Sequence, residues 1–281
     1  MKQYTTVAEF RAALDHERAE GHSVGMVGTS GAMHEGHLSL VRRSAAENDV
    51  TAMFWGGALA FDWMEDEIAY QRNFERDLAL AEAAGLDVVY LPDGADLFRR
   101  PPLTTVSLPA MSSGAPGLEE PGHLDTIVMM MAKLFNIFGA CRSYFGEKDW
   151  QQLAMFKRMA EDLCWPVDVV GCETVRDPDG VAISSRNSQL TPEERERAPA
   201  LYSALLATRA AVEKGERSQA ALYRLVSEHV KAVGSLEYFV AVNAETMEML
   251  DPLAGDVRLL GSMGLGSVRL VDNIGVRVDD G

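Results

Sequence analysis

Val24-Gly25-Met26-Val27-Gly28-Thr29-Ser30-Gly31-Ala32-Met33-His34-Glu35-Gly36-His37 is the stretch whose reading decides the fold. A short apolar run, Val24–Val27, passes into a glycine-rich turn, Gly28–Met33, and then into helical spacing from Gly36 to Asn48. That order reads as strand, loop and helix, with two histidines on the first helical turn. A helix start exposes N–H groups that have no partner within the helix, and it carries positive dipole potential, so it suits phosphate. Histidines three apart share one helix face and can grip the same anion. Gly36 between them lets a flat ring approach the backbone. Zinc fits less well, because the metalloprotease pattern needs histidines four apart with a glutamate as base. The stretch therefore reads as a nucleoside triphosphate site that acts on the phosphate rather than merely holding it.

The same alternation continues outward. Candidate strands are Val24–Val27, Val50–Trp55, Asp87–Leu91, Ser143–Phe145 and Val167–Gly171, and candidate helices are Gly36–Asn48, Arg72–Ala84, Asp125–Phe138 and Asp149–Leu163. Strand–helix alternation implies an α/β fold with a parallel sheet covered by helices on both faces. Ligands gather at the carboxyl ends of such strands. Three segments fall there: Gly28–Met33, Gly146-Glu147-Lys148-Asp149, and Thr174–Asn187. After Asn187 the character changes. Thr191-Pro192-Glu193-Glu194 is a capped helix start, helical spacing runs on to about Val233, and Tyr238–Val242, Val257–Leu260 and Val268–Val271 read as an antiparallel sheet. The expected organisation is a catalytic domain over 1–187 and a smaller α+β domain over 188–281.

Composition narrows the partners. With 26 basic and 42 acidic residues the formal net charge is −16, which repels nucleic acid and anionic membranes. An anionic substrate then requires a local positive pocket. No run of about 18 apolar residues occurs, so no membrane span is expected. The longest apolar run, Ile127–Ala132, reads as core helix. Cys141, Cys164 and Cys172 show no metal-ligand spacing and read as reduced cytoplasmic thiols, and the N-terminus lacks a signal-peptide pattern.

Attack at a nucleotide's α-phosphate builds negative charge on phosphoryl oxygens and on the leaving pyrophosphate, so preorganised donors and cations lower the barrier. The chain offers His34 and His37 at the helix start, Lys148 in Phe145-Gly146-Glu147-Lys148-Asp149, and the hydroxyls and guanidinium of Ser184-Ser185-Arg186-Asn187. Asp149 suits ribose hydroxyls, and Gly146 permits close backbone approach. There is no P-loop, no dinucleotide fingerprint, no nucleophile elbow and no recognisable cysteine nucleophile, so hydrolase and dehydrogenase readings are poor.

At these residues the chain resembles the pantothenate synthetases, or pantoate–β-alanine ligases, over nearly its whole length. The resemblance runs through Thr6–Arg11, Gly31–Val41, Ala132–Ile137, Tyr144–Leu153, Thr174–Gly180, Ser184–Asn187 and Asp272–Ile274. It implies a Rossmann-like nucleotidyltransferase domain of the HIGH type with a parallel sheet, a smaller C-terminal lid domain, and a homodimer. It implies that a carboxylate attacks ATP to give an acyl adenylate and pyrophosphate, and that an amine then displaces AMP, with Mg2+ accompanying ATP. Carried over by motif, His34, His37, Lys148, Ser184, Ser185 and Arg186 would act at the phosphates. Thr29, Gly31, Gly36, Gly146, Asp149, Val175 and Ile183 would hold ATP, and Gln152 would touch the acid. No protein metal ligands are implied.

The departures cluster on the acid pocket. Gly28 and Ser30 replace a proline and a methionine usual in the family. Trp55-Gly56-Gly57-Ala58-Leu59-Ala60 stands where Phe-Val-Asn-Pro-x-Gln is usual, Glu120 replaces an arginine, and Gly264 replaces another. Losing a hydrogen-bond partner weakens discrimination for a hydroxylated acid. The expectation is an ATP-dependent carboxylate–amine ligase acting on a non-pantoate acid, a different amine, or both. The alternative is a divergent pantothenate synthetase, condensing pantoate and β-alanine, whose pocket is rebuilt by Trp55 and Trp63. A nucleotidyltransferase that leaves AMP on a phosphorylated acceptor would want a basic pocket, against which Glu120 and Asp125 argue. A silent scaffold has no chemical need for the histidines, Lys148 and the Ser-Ser-Arg loop.

Overall fold

The computed structural model describes residues 1–56, 74–92, 97, 103–112 and 123–279. By contacts the chain forms two compact units. One comprises Met1–Ser107, Gly122–Glu147 and Met155–Glu173; the other comprises Leu108–Pro121, Lys148–Ala154 and Thr174–Gly281.

The first unit is built on a six-stranded sheet ordered β1-β4-β3-β2-β5-β6, in which every pairing is parallel. Its strands are β1 (Lys2–Tyr4), β2 (Val24–Thr29), β3 (Val50–Trp55), β4 (Val88–Tyr90), β5 (Cys141–Gly146) and β6 (Val167–Cys172). The order runs one way from β2 to β3 and the other way from β2 to β5. The C-terminal ends of β2 and β5 therefore flank the switch point where such sheets bind ligands.

Alternation along the strands gives the sheet two apolar faces. Val27, Met53 and Val89 pack with Leu38 and Val41 of helix α2 (Glu35–Glu47) and Leu78 and Ala81 of α3 (Phe74–Ala83). On the other face Phe10 of α1 (Val7–Ala19) stacks on Tyr90 at 4.9 Å and meets edge-on Phe138, the last residue of the helix His123–Phe138. Phe10 and Phe138 are fully buried, and each side chain contributes about 2 kcal/mol of transfer free energy. Gly25 sets how closely α2 lies on β2: a Cβ there would stand 2.0 Å from Ser44 Oγ.

The five expected strands of this unit are all present, β3 with the expected bounds and the others shifted by one or two residues. The sequence reading omitted β1 and α1, although Thr6 caps α1 by accepting from the Glu9 N–H. The start of the expected helix Arg72–Ala84 lies outside the described residues.

The second unit holds the antiparallel sheet β7-β8-β9, formed by Ser235–Asn243, Gly255–Leu265 and Val268–Val278. Among the described residues the remaining helices of the whole chain are, in order, α4 (Pro109–Ser112), α5 (His123–Phe138, in the first unit), α6 (Trp150–Asp162, divided between the units after Ala154), α7 (Pro192–Arg197), α8 (Pro199–Glu213) and α9 (Gln219–Val230). The helical stretch read as continuous to about Val233 is thus three helices. Thr191 and Glu194 form a reciprocal capping box that opens α7, with Pro192 in its first turn. Leu201 and Leu205 of α8, Val226 of α9, and Leu259 and Met263 of β8 share one core. No helix among the described residues is long and apolar enough to cross a membrane.

Candidate active site

In the first unit the loop after β2 is shaped by two consecutive left-handed residues, Gly31 at φ +105° and Ala32 at φ +54°. Glycine adopts that region freely, while alanine does so at a cost of about 1–2 kcal/mol. The loop is pinned from within and without. Thr29 Oγ1 accepts the Gly31 N–H at 3.1 Å, and Asp77 Oδ1, on fully buried Asp77, accepts the Met33 N–H at 3.1 Å. The Trp55 indole covers Gly31, so that an added Cβ would lie 3.3 Å from it.

His34 is the N-cap of α2, and its carbonyl accepts the Leu38 N–H at 3.0 Å. The N–H groups of Glu35, Gly36 and His37 precede that first helical bond. The rings of His34 and His37 stack with centroids 3.9 Å apart and planes 23° apart, so the pair acts as one block on the helix start. Glu35 turns to solvent and pairs with Arg42 at 2.6 Å; that hydrogen bond holds its carboxyl below the usual range. The dipole end is thus left to the imidazoles. Gly146 ends β5, with open space where a Cβ would stand.

In the second unit Lys148, Ser184, Arg186, Asn187, Arg269 and Asp272 line an open cleft. Lys148 and Arg186 thus border one cleft in a chain of net charge −16, while Arg269, also on its wall, is paired with Glu237 at 2.7 Å. The anion among them, Asp272, is neutralised by Arg176, which makes two bonds to its carboxylate at 2.6 and 2.8 Å. Arg176 also stacks over Tyr202 at 3.9 Å. Ser184 caps the 3-10 turn Ser185–Gln189 by accepting the Arg186 N–H. Val175 and Ile183 face each other across a short hairpin, Ile183 donating to the Val175 carbonyl at 2.9 Å. Lys148 Nζ lies 3.3 Å from Asp149 Oδ1. Gln152 is half-buried on α6, while its neighbour Gln151 is buried and donates to the Met111 carbonyl at 3.1 Å.

Each unit thus gathers part of the expected set. Thr29, Gly31, His34, Gly36, His37 and Gly146 belong to the first, with Gly28, Ser30 and Trp55 of the expected acid pocket. Lys148, Asp149, Gln152, Val175, Ile183, Ser184, Ser185 and Arg186 belong to the second. Gly57, Ala60, Trp63 and Glu120 lie outside the described residues. The sequence reading missed Asp77 and Arg269. Asp77 carried a signal, because it sits on the buried face of α3 at helical spacing from Ala81.

The family model described as pantoate-beta-alanine ligase matches residues 2–275. The chain belongs to the pantoate-beta-alanine ligase family. It is similar to pantothenate synthetase 1 of Frankia alni, at 49% identity with 96% of this chain and 97% of that protein covered. Pantothenate synthetase 2 of the same organism is 44% identical, with 98% and 84% covered. Among solved structures, the pantothenate synthetase of Thermus thermophilus superposes with a TM-score of 0.88 at 38% identity, covering 99% of this chain and 100% of that one. As a member of this ligase family the chain is an ATP-dependent enzyme that forms a carbon–nitrogen bond and releases AMP.

Proposed function

We propose that the enzyme condenses pantoate with β-alanine, using ATP and Mg2+. The observation that carries the reading is the placement of Lys148 and Arg186 beside Ser184 in one cleft of a strongly acidic chain. The near-full-length similarity to pantothenate synthetases supports pantoate as the acid. This reverses the order that the sequence alone favoured, in which a changed acid came first.

In this reading a pantoate carboxylate oxygen attacks the α-phosphorus, the bond to the β-phosphate oxygen breaks, and pyrophosphate leaves. His34, His37 and the N–H groups of the α2 start stabilise charge on the phosphoryl oxygens. Lys148 and Arg186 neutralise the triphosphate, and Ser184 and Ser185 donate hydroxyl hydrogen bonds to it. One such donor is worth about 10²–10³ in rate. Thr29, Gly31, Gly36, Gly146, Asp149, Val175 and Ile183 seat the nucleotide, and Gln152 contacts the acid. The amine nitrogen then attacks the acyl carbon, the bond from that carbon to the AMP oxygen breaks, and the ammonium proton passes to solvent. Magnesium supplies charge neutralisation on the phosphates. Such an ion needs only one or two carboxylates besides phosphate and water, so a dedicated acidic cluster is not required. Residues 188–281 serve as the lid domain to 1–187, and the enzyme works as a cytoplasmic homodimer. The family resemblance supports the lid and the dimer, and the free thiols of Cys141, Cys164 and Cys172 support the compartment.

One observation favours a second reading. A Cβ at Gly28 would meet nothing within 4 Å, so there is room beside the loop for a bulkier acid or a different amine partner. The two are separated by incubating the protein with ATP, Mg2+, β-alanine and either pantoate or a panel of other acids. The pantoate reading expects AMP, pyrophosphate and pantothenate in equal amounts. Turnover of another acid with none of pantoate would establish the second reading instead.

A further inference from the structure

We propose that Asn273 is a positioning residue that fixes Lys148 for the adenylation step; the inference rests on the reading of Lys148 as a phosphate-binding cation. Asn273 lies on β9 opposite Leu260 of β8 and is 2% exposed. Its Nδ2 donates to the main-chain carbonyl of Lys148 at 2.7 Å, and its Oδ1 accepts from Arg258 Nε at 2.6 Å. The guanidinium has no acceptor, so Oδ1 must face Arg258 and the amide nitrogen must face the lysine carbonyl; the reversed amide would set donor against donor.

The same arginine holds the chain two residues further on. Its guanidinium carbon lies 3.6 Å from the centre of the Trp150 ring, and the Trp150 indole N–H donates to the Ala244 carbonyl at 2.8 Å. Asn273 is itself fixed at its backbone, where its N–H donates to Asp272 Oδ1 at 2.8 Å, the carboxylate gripped by Arg176. The turn Glu147–Asp149 is only three residues long. Lys148 in that turn and Trp150, the first residue of α6, are thus both tied to the β8–β9 sheet, through one amide and one guanidinium. A lysine on a long flexible stem stabilises developing charge only if its backbone origin is fixed, since a misplacement of about 1 Å costs about 10²-fold in rate.

The test separates the two half-reactions. The first is read as pantoate-dependent exchange of labelled pyrophosphate into ATP, the second as amide formation from synthetic pantoyl adenylate and β-alanine. Attack at phosphorus and departure of pyrophosphate occur only in the first. Asn273→Asp and Asn273→Ala are expected to slow exchange at least tenfold while leaving the second half-reaction within twofold. Arg258→Lys keeps the charge but loses the directed Nε–H, and it is expected to slow exchange threefold to tenfold in the same selective way. It carries the test should the Asn273 variants not fold. Lys148→Ala serves as the reference. If that variant is inactive in exchange while the Asn273 and Arg258 variants exchange normally, or slow both half-reactions equally, Asn273 has no positioning role. If Lys148→Ala itself exchanges normally, the underlying reading of the lysine fails and the inference falls with it.

Discussion

The buried carboxylate of Asp77 accepts the main-chain N–H of Met33 at 3.1 Å, and through that bond α3 holds the loop that delivers His34 to the start of α2. Removing the acceptor leaves a buried N–H unsatisfied and opens a void. Asp77→Ala is expected to lose about 2–3 kcal/mol of stability, read as a fall of several degrees in thermal midpoint, and to slow adenylation. Asp77→Asn keeps an acceptor oxygen and should lose less on both counts.

The stacked imidazoles are expected to act together. His34→Ala and His37→Ala should each lower the rate of pyrophosphate exchange by about 10²–10³ with an unchanged far-ultraviolet spectrum. The double variant should be little worse than either single one, because groups that act as a unit are strongly non-additive. A double variant whose loss equals the product of the singles would mean that the rings act independently.

Gly28 at the end of β2 and Gly31 in the loop that follows should behave oppositely. Gly31 sits at φ +105°, with the Trp55 ring 3.3 Å from where a Cβ would be, so Gly31→Ala is expected to cost about 1–3 kcal/mol. Gly28 has open space, so Gly28→Ala should leave the thermal midpoint nearly unchanged. If Gly28 borders the acid pocket, that variant raises the KM for pantoate without changing the KM for ATP. Steady-state kinetics on the two variants decide it.

Arg195 bonds Asp179 at 2.6 Å and lowers its pKa from the ordinary 3.8. A carboxyl whose pKa is lowered by folding adds stability above its unfolded value, and that stability is lost as the pH falls through the folded value. Arg195→Gln should therefore be slightly less stable than the parent at neutral pH, and the gap should close as the pH drops below 3.8. Urea denaturation across that range measures it. A gap that widens on acidification would contradict the pairing.

The parallel sheet was legible because its strands are apolar runs separated by helix-length stretches, and the phosphate-facing loop because glycines precede His34-Glu35-Gly36-His37. β1 escaped because three residues, two of them exposed, carry no periodic signal. α1 was legible in principle from Thr6 and Glu9, but its exposed polar face hid the buried stripe of Phe10 and Leu14. The breaks between α7, α8 and α9 depend partly on Gly215 at φ +104°, a conformation that the helical spacing around it does not announce. Asp77, Arg269 and the Arg258–Asn273 pair act across the fold, with partners 44 residues away for Asp77 and 125 for Asn273. Helical spacing places Asp77 on the buried face of α3, but no local pattern shows what any of these side chains meets.

The central claim is that Lys148 belongs to machinery that activates pantoate at the α-phosphate of ATP. Pantoate-dependent exchange of labelled pyrophosphate into ATP, measured without any amine for the parent enzyme and for Lys148→Ala, tests it most directly. The expected result is steady exchange by the parent and a loss of at least about 100-fold in the variant, with both proteins equally folded. Exchange by Lys148→Ala at the parent's rate, or a parent enzyme that exchanges with other acids and not with pantoate, would contradict it.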